Sequence, residues 1–329
     1  MNDALLRIYH PEIPAFLAPF LALPELERLR QVGMNCGCEY TSFPRFQNLP
    51  ESSRYHHSLG AARITWHFTR ETAPTLAALF HDIATPVFAH TVDFLRGDYL
   101  QQEATEDGTG DLLRRSAALS ALLAPLGLRV EDVEDYHRYP VADNDSPRLS
   151  ADRLEYTLRN ILHYRFGSLD DLRRFYEDLC VASEDGITEL AFRSLDTARD
   201  FAFAALRCSE IYVSPEDRYA MQRLAELLRD ALRRGVLAQE DLYGVEPDVI
   251  AKLEADPETA RAWRAYRALH EMITDETAPE ADRRVVKAKK RSIDPWVKGQ
   301  GRLSSIDKAF AAALNNFREE PQDGWLCAR

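Results

Sequence analysis

Apolar residues recur at three- and four-residue spacing in seven stretches of the chain: 21–33, 74–84, 112–126, 152–166, 194–212, 216–236 and 258–275. That spacing lays an apolar stripe along one side of an α-helix. Runs that alternate apolar and polar side chains are nearly absent, so the pattern predicts an all-α protein of about a dozen helices. Turn chemistry punctuates it. Thr85-Pro86 ends one helix and opens the next, because the residue before a proline disfavours the α region. The polar stretches 103–111 and 140–149 read as loops. A shift of composition near residue 240 divides the chain into a main domain, 1–240, and a C-terminal helical extension, 241–329, packed on it.

Composition narrows the class. Of 329 residues, 45% are hydrophobic and 29% charged, enough apolar surface to offset the ordering entropy and to exclude a disordered chain. The most apolar run, 12–23, is too short to span a bilayer, contains Pro14 and Pro19, and has no basic leader. Neither a membrane segment nor a secretory signal is expected. The five cysteines, Cys36, Cys38, Cys180, Cys208 and Cys327, are few and odd in number, which points to a reducing cytoplasm. Cys36-Gly37-Cys38 has no second closely spaced pair, so a thiolate zinc site is not expected. The net charge of -12 repels nucleic acid, and any anionic ligand must be held by local positive charge.

Five of the nine histidines, His56, His57, His67, His81 and His90, fall within 35 residues. Three segments surround them in order. Residues 54–60 read Arg-Tyr-His-His-Ser-Leu-Gly, residues 81–93 read His-Asp-Ile-Ala-Thr-Pro-Val-Phe-Ala-His-Thr-Val-Asp, and residues 150–156 read Ser-Ala-Asp-Arg-Leu-Glu-Tyr. Arg54 and His57, and His90 and Asp93, are three residues apart, and Asp152 and Tyr156 four, so on a helix each pair shares a face. Upstream stand Arg28-Leu29-Arg30-Gln31-Val32-Gly33 and Phe43-Pro44.

Taken in order, over roughly residues 25–220, these segments resemble the signatures of the HD-domain metal-dependent phosphohydrolases, and more narrowly the deoxynucleoside triphosphate triphosphohydrolase branch. The resemblance implies an HD-type helical bundle whose metal ligands are His57, His81, Asp82 and Asp152. Two imidazoles and two carboxylates suit Mn, Fe, Co, Ni or Zn, and Mg less comfortably, with positions left for water and substrate. It implies a phosphate contact for Arg54, proton handling by His90 with Asp93, and a carboxylate helper at Glu103. It places Arg153 near the phosphates, Tyr156 against a sugar and Asn160 near its 3′-hydroxyl, and it makes Tyr212 a substrate-binding residue. Each residue also has a plainer role open to it: a buried His90 bonded to Asp93, or a Tyr156 packed in the core.

This sequence departs from the family pattern at Thr85, Gln102, Ser214 and Pro215. The last two stand where a His and a Lys would hold a triphosphate tail. Hydrolysis of a nucleotide or similar phosphate ester is the leading expectation. A nucleotide-sensing or partner-binding protein with little turnover is the alternative. The basic run 283–291, with six cations in nine residues, reads as a phosphate, effector or nucleic-acid contact, or as a solvated face that balances nearby acid. A homo-oligomer is implied by resemblance only.

Overall fold

The computed structural model describes residues 2–97, 108–274 and 277–329. Among the described residues are sixteen α-helices. Six of them build the site: α1 (Arg54–Thr69), α2 (Thr72–Phe80), α3 (Thr91–Arg96), α4 (Ala151–His163), α5 (Leu195–Tyr212) and α6 (Pro215–Arg233).

The expectation of a wholly α-helical chain needs a correction. Strands β1 (Leu179–Glu184) and β2 (Ile187–Phe192) form an antiparallel hairpin. β2 continues in parallel onto Trp296–Val297, which pairs with Gly301–Arg302. A second, two-stranded sheet joins Arg284–Val285 to Trp325–Leu326. The hairpin turns through Asp185 and Gly186, both left-handed, with φ of 52° and 77°. An Asp-Gly pair between two six-residue runs is a hairpin signal, because both residues tolerate positive φ and that twist matches the strands.

α1 shows why periodicity alone missed the central element. Eleven of its sixteen residues are buried, on every side of the helix, so there is no apolar stripe to find. It packs against α2 and α4, which bring the second and third sequence segments to the first. The two main core clusters each mix distant parts of the chain; one includes Cys38, Phe88 and Phe94 beside Leu303, Phe310 and Leu326. Among the described residues no helix is long and apolar enough to cross a membrane.

Candidate metal centre

His57 lies in the first turn of α1, His81 and Asp82 just after α2, and Asp152 in the first turn of α4. Their ligating atoms converge. His57 Nε2 and His81 Nε2 are 3.1 Å apart, and Asp152 Oδ1 lies 3.0 and 3.4 Å from them. Asp82 Oδ2 stands 3.8 and 3.6 Å from the same two nitrogens. Among the described residues His57, His81 and Asp152 form the one close cluster of three such donors.

The outer nitrogens decide which way each ring is protonated. His81 Nδ1 lies 2.8 Å from the Ala78 carbonyl and His57 Nδ1 2.7 Å from Glu155 Oε2. Both partners accept, so each Nδ1 carries the proton, and in the neutral ring each Nε2 presents a lone pair inward. Lone pairs and carboxylate oxygens this close in a buried place need a cation among them. Protons supply it when no metal does. Burial opposes charge on both imidazoles, but hydrogen bonds to Asp152 and Glu155 hold His57 above its ordinary pKa. Against the same burial, Asp82 and Asp152 push His81 up to about 10. Burial likewise opposes charge on Asp152, and the two imidazoles hold it well below the usual carboxylate range. The donor set fits a first-row divalent metal.

Neighbours fix these four side chains. Glu155 and Arg159, four residues apart on α4, form a fully buried ion pair behind His57. Asp82 accepts from Arg54 Nη1 on one oxygen and from the Thr85 hydroxyl on the other, each at 2.8 Å. Thr85 thus serves to hold Asp82. Arg54 retains a buried Nε with no hydrogen-bond partner.

The cluster opens into a cavity of about 320 Å³. His90 lines it, with Nδ1 held by Asp93 at 2.9 Å. Burial, against the pull of Asp93 and reinforced by Arg291 and Arg54, pushes the His90 pKa down to about 4. The ring is therefore neutral near pH 7, and its Nε2 is an acceptor. Phe88 and Ala89, just before it, have φ of 57° and 43°, conformations that L-residues adopt at a cost. The Leu242 carbonyl and the buried Glu246 carboxyl bind the amides of Val87 and Phe88 and hold this bend. Tyr156, Asn160 and Tyr212 also line the cavity, with Asn160 Nδ2 donating to the Tyr212 hydroxyl at 2.6 Å.

Arg153 is placed differently from the expectation. It does not line the cavity. Its guanidinium ties down the 140–149 loop through Asp143, Asn144 and the Arg148 carbonyl. Ser214 and Pro215 start α6, with the Ser214 side chain as its N-cap. Glu103 and Gln102 lie outside the described residues.

For Glu155 the sequence holds one signal, its spacing from Asp152 and Arg159, which puts all three on one helical face. The structure dissects the basic run 283–291. Arg283 lies over the Trp325 ring, Arg284 pairs with Glu226, and Lys287 pairs with Asp323. Lys290 caps the carbonyls that end the helix Lys308–Glu319. The other two, Lys289 and Arg291, line the cavity, with Arg291 Nη2 3.5 Å from His90 Nε2.

The chain matches no model of a known protein family. It is 25% identical over 325 residues to the metal-dependent phosphohydrolase cns2 of Cordyceps militaris, covering 91% of this chain and 87% of that one. It is 24% identical over 279 residues to the uncharacterized protein YdhJ of Bacillus subtilis, covering 81% and 83%.

Proposed function

We propose that this protein is an HD-type metal-dependent phosphohydrolase that cleaves a phosphate ester of a nucleotide. The observation that carries the reading is the convergence of His57 Nε2, His81 Nε2, Asp152 Oδ1 and Asp82 Oδ2 in one buried place that opens into a cavity. The name of the Cordyceps relative supports the reaction class. A divalent metal held there supplies a Lewis acid, which polarises a phosphoryl oxygen and lowers the pKa of water.

The chain's own residues do the rest. Arg54, Lys289 and Arg291 place positive charge on a wall that must accept an anion inside a protein of net charge -12, where fixed charge lowers the barrier most. Neutral His90, steadied by Asp93, takes a proton from the attacking water through Nε2. Tyr156, Asn160 and Tyr212 form the wall against which the sugar packs. A second reading, a nucleotide sensor with little turnover, is favoured by one observation. Ser214 and Pro215 are engaged in starting α6 rather than in holding phosphates.

Phosphate release from a panel of nucleoside mono- and triphosphates with Mn²⁺, run beside Asp82→Ala, tests both readings. Multiple turnover that the substitution abolishes is the expected result. Tight nucleotide binding without product release selects the sensor. Neither turnover nor binding overturns both.

A further inference from the structure

Ser214-Pro215-Glu216-Asp217 has the form of a capping box, in which the acidic residue bends back to the amide of the N-cap. Half of that box is present, since Asp217 N donates to Ser214 Oγ at 3.3 Å. The other half is not. Ser214 N donates instead to the Ile211 carbonyl, and Asp217 is one of the residues that line the cavity. Its carboxyl accepts a hydrogen bond from the buried Cys38 thiol at 3.7 Å. Burial pushes its pKa up to about 8 despite the Cys38 bond and the charges of Arg45 and Arg218, with Glu216 adding to the rise. Near neutrality such a carboxyl offers both an O–H donor and a carbonyl acceptor.

A strained turn faces it. Cys38 N donates to the Asn35 carbonyl at 2.9 Å across Cys36 and Gly37, whose φ values are 56° and 86°. Both central residues are left-handed, and Cys36, unlike glycine, carries a Cβ into that conformation. Thr91 and Tyr266 hold the turn by donating to the Cys36 and Gly37 carbonyls at 2.7 and 2.9 Å. The turn sets Asn35 and Cys36 in the cavity wall. Met221, one helical turn after Asp217, joins Met34, Phe46 and Tyr164 as apolar lining. Cys36 lies within electrostatic reach of both Asp217 and Arg54, and Arg54 pairs with Asp82. One cavity is lined by His57, His81 and Asp152, by Cys36 and by Asp217.

We propose that Asp217 and Asn35 form a second subsite of this cavity, which takes the heteroaromatic ring of the substrate and hydrogen-bonds its edge. Methionine and aromatic side chains suit a flat apolar ring. A carboxyl and a carboxamide, each able to donate and to accept, suit an edge that places donor beside acceptor, as nucleobases do. A phosphate ester with no ring would desolvate both groups and leave them unpaired, which is how a polar subsite rejects the wrong ligand. The proposal rests on the nucleotide reading for the phosphate end only; the ring end can be tested alone.

Calorimetry with adenosine, guanosine, cytidine and uridine, and with ribose as the ring-free control, reads that end directly. Wild-type protein is expected to bind at least one nucleoside and not ribose. Asp217→Leu should weaken that binding at least about tenfold, the loss of one buried hydrogen bond. Asp217→Asn, which keeps a donor and an acceptor, should retain most of it. If Asp217→Leu does not fold, Asp217→Ser replaces it. Wild-type protein that binds none of the four, or a variant without the carboxyl that binds them equally well, overturns the proposal. Release of phosphate from glycerol 2-phosphate with Mn²⁺, which involves no ring, reports separately on hydrolysis.

Discussion

Gly60→Ala sets two effects of opposite sign against each other. Gly60 lies inside α1, in a helical conformation where alanine is ordinarily better by about 1 kcal/mol. Here the added Cβ would sit 2.5 Å from Glu155 Cγ, 2.6 Å from Oε1 and 2.8 Å from Cδ. Glu155 has no room to move, being fully buried and held by His57 on one side and Arg159 on the other. Overpacking of this kind costs about 1–3 kcal/mol, so the net expectation for the metal-free protein is a loss of roughly 0–2 kcal/mol rather than a gain. The second consequence is at the proposed metal site. Displacing Glu155 from His57 Nδ1 removes the group that orients the ligand, which typically weakens metal affinity about 10–100-fold. At a metal concentration of about 100 times the wild-type Kd, binding stabilises the native state by ~2.7 kcal/mol. A site some thirtyfold weaker gains only ~0.9 kcal/mol by the same relation. Urea unfolding with and without a fixed concentration of Mn²⁺ reads both quantities. A variant about 1 kcal/mol more stable without metal, and retaining the whole metal increment, would refute the reasoning.

Other expectations follow from the same geometry. Asp82→Ala leaves the buried Arg54 guanidinium without its carboxylate, a situation that costs about 3–5 kcal/mol, whereas Asp82→Asn keeps an acceptor for it. Both should lose metal, measured in the purified protein, but the alanine variant should unfold at clearly lower urea; equal midpoints would contradict this. In the metal-free protein the raised imidazoles of His57 and His81 contribute stability that is full below about pH 6.5 and is lost as pH rises through their folded values. Asp82 and Asp152, held low, contribute above about pH 4 and lose that contribution as pH falls. A metal must displace the imidazole protons, so the rise in Tm produced by Mn²⁺ should be larger at about pH 9 than at about pH 6; an equal rise would count against the ligand assignment. Lys290→Ala should lower stability through the lost helix cap and leave Mn²⁺ affinity alone, while Arg291→Ala should raise KM for a phosphorylated substrate. The reverse pattern would show that the basic run is divided otherwise.

Much of the candidate site was legible because its chemistry is local. His57, His81, Asp82 and Asp152 each belong to a short segment with a recognisable order, and spacing on a helix already paired Arg54 with His57 and His90 with Asp93. Periodicity read the helices that are apolar on one side, including Asp152–Phe166 and Glu216–Val236 against the observed α4 and α6. It failed where burial is not one-sided. α1 is buried all round, and among the described residues of the run 258–275, read as one helix, the helix ends at Arg267. The β1–β2 hairpin carried a signal, Asp185-Gly186, that was there to be used.

Sequence by itself determined the donor types, their order along the chain, the helical character of most elements and the acidity that requires any anion site to be local. Tertiary structure decided which atoms meet. It brought Arg291 some two hundred residues back to His90 and Lys289 to the same cavity, gave Arg153 to a loop, turned Asp217 from a helix cap into a cavity wall, and set Glu155 behind His57 in space that only a glycine at position 60 leaves open. The physical reason is range. Helix propensity, capping and i to i+4 pairing act within a few residues and can be read in order. Close packing and the burial of charge act between elements, and their outcome depends on which surfaces fold against one another.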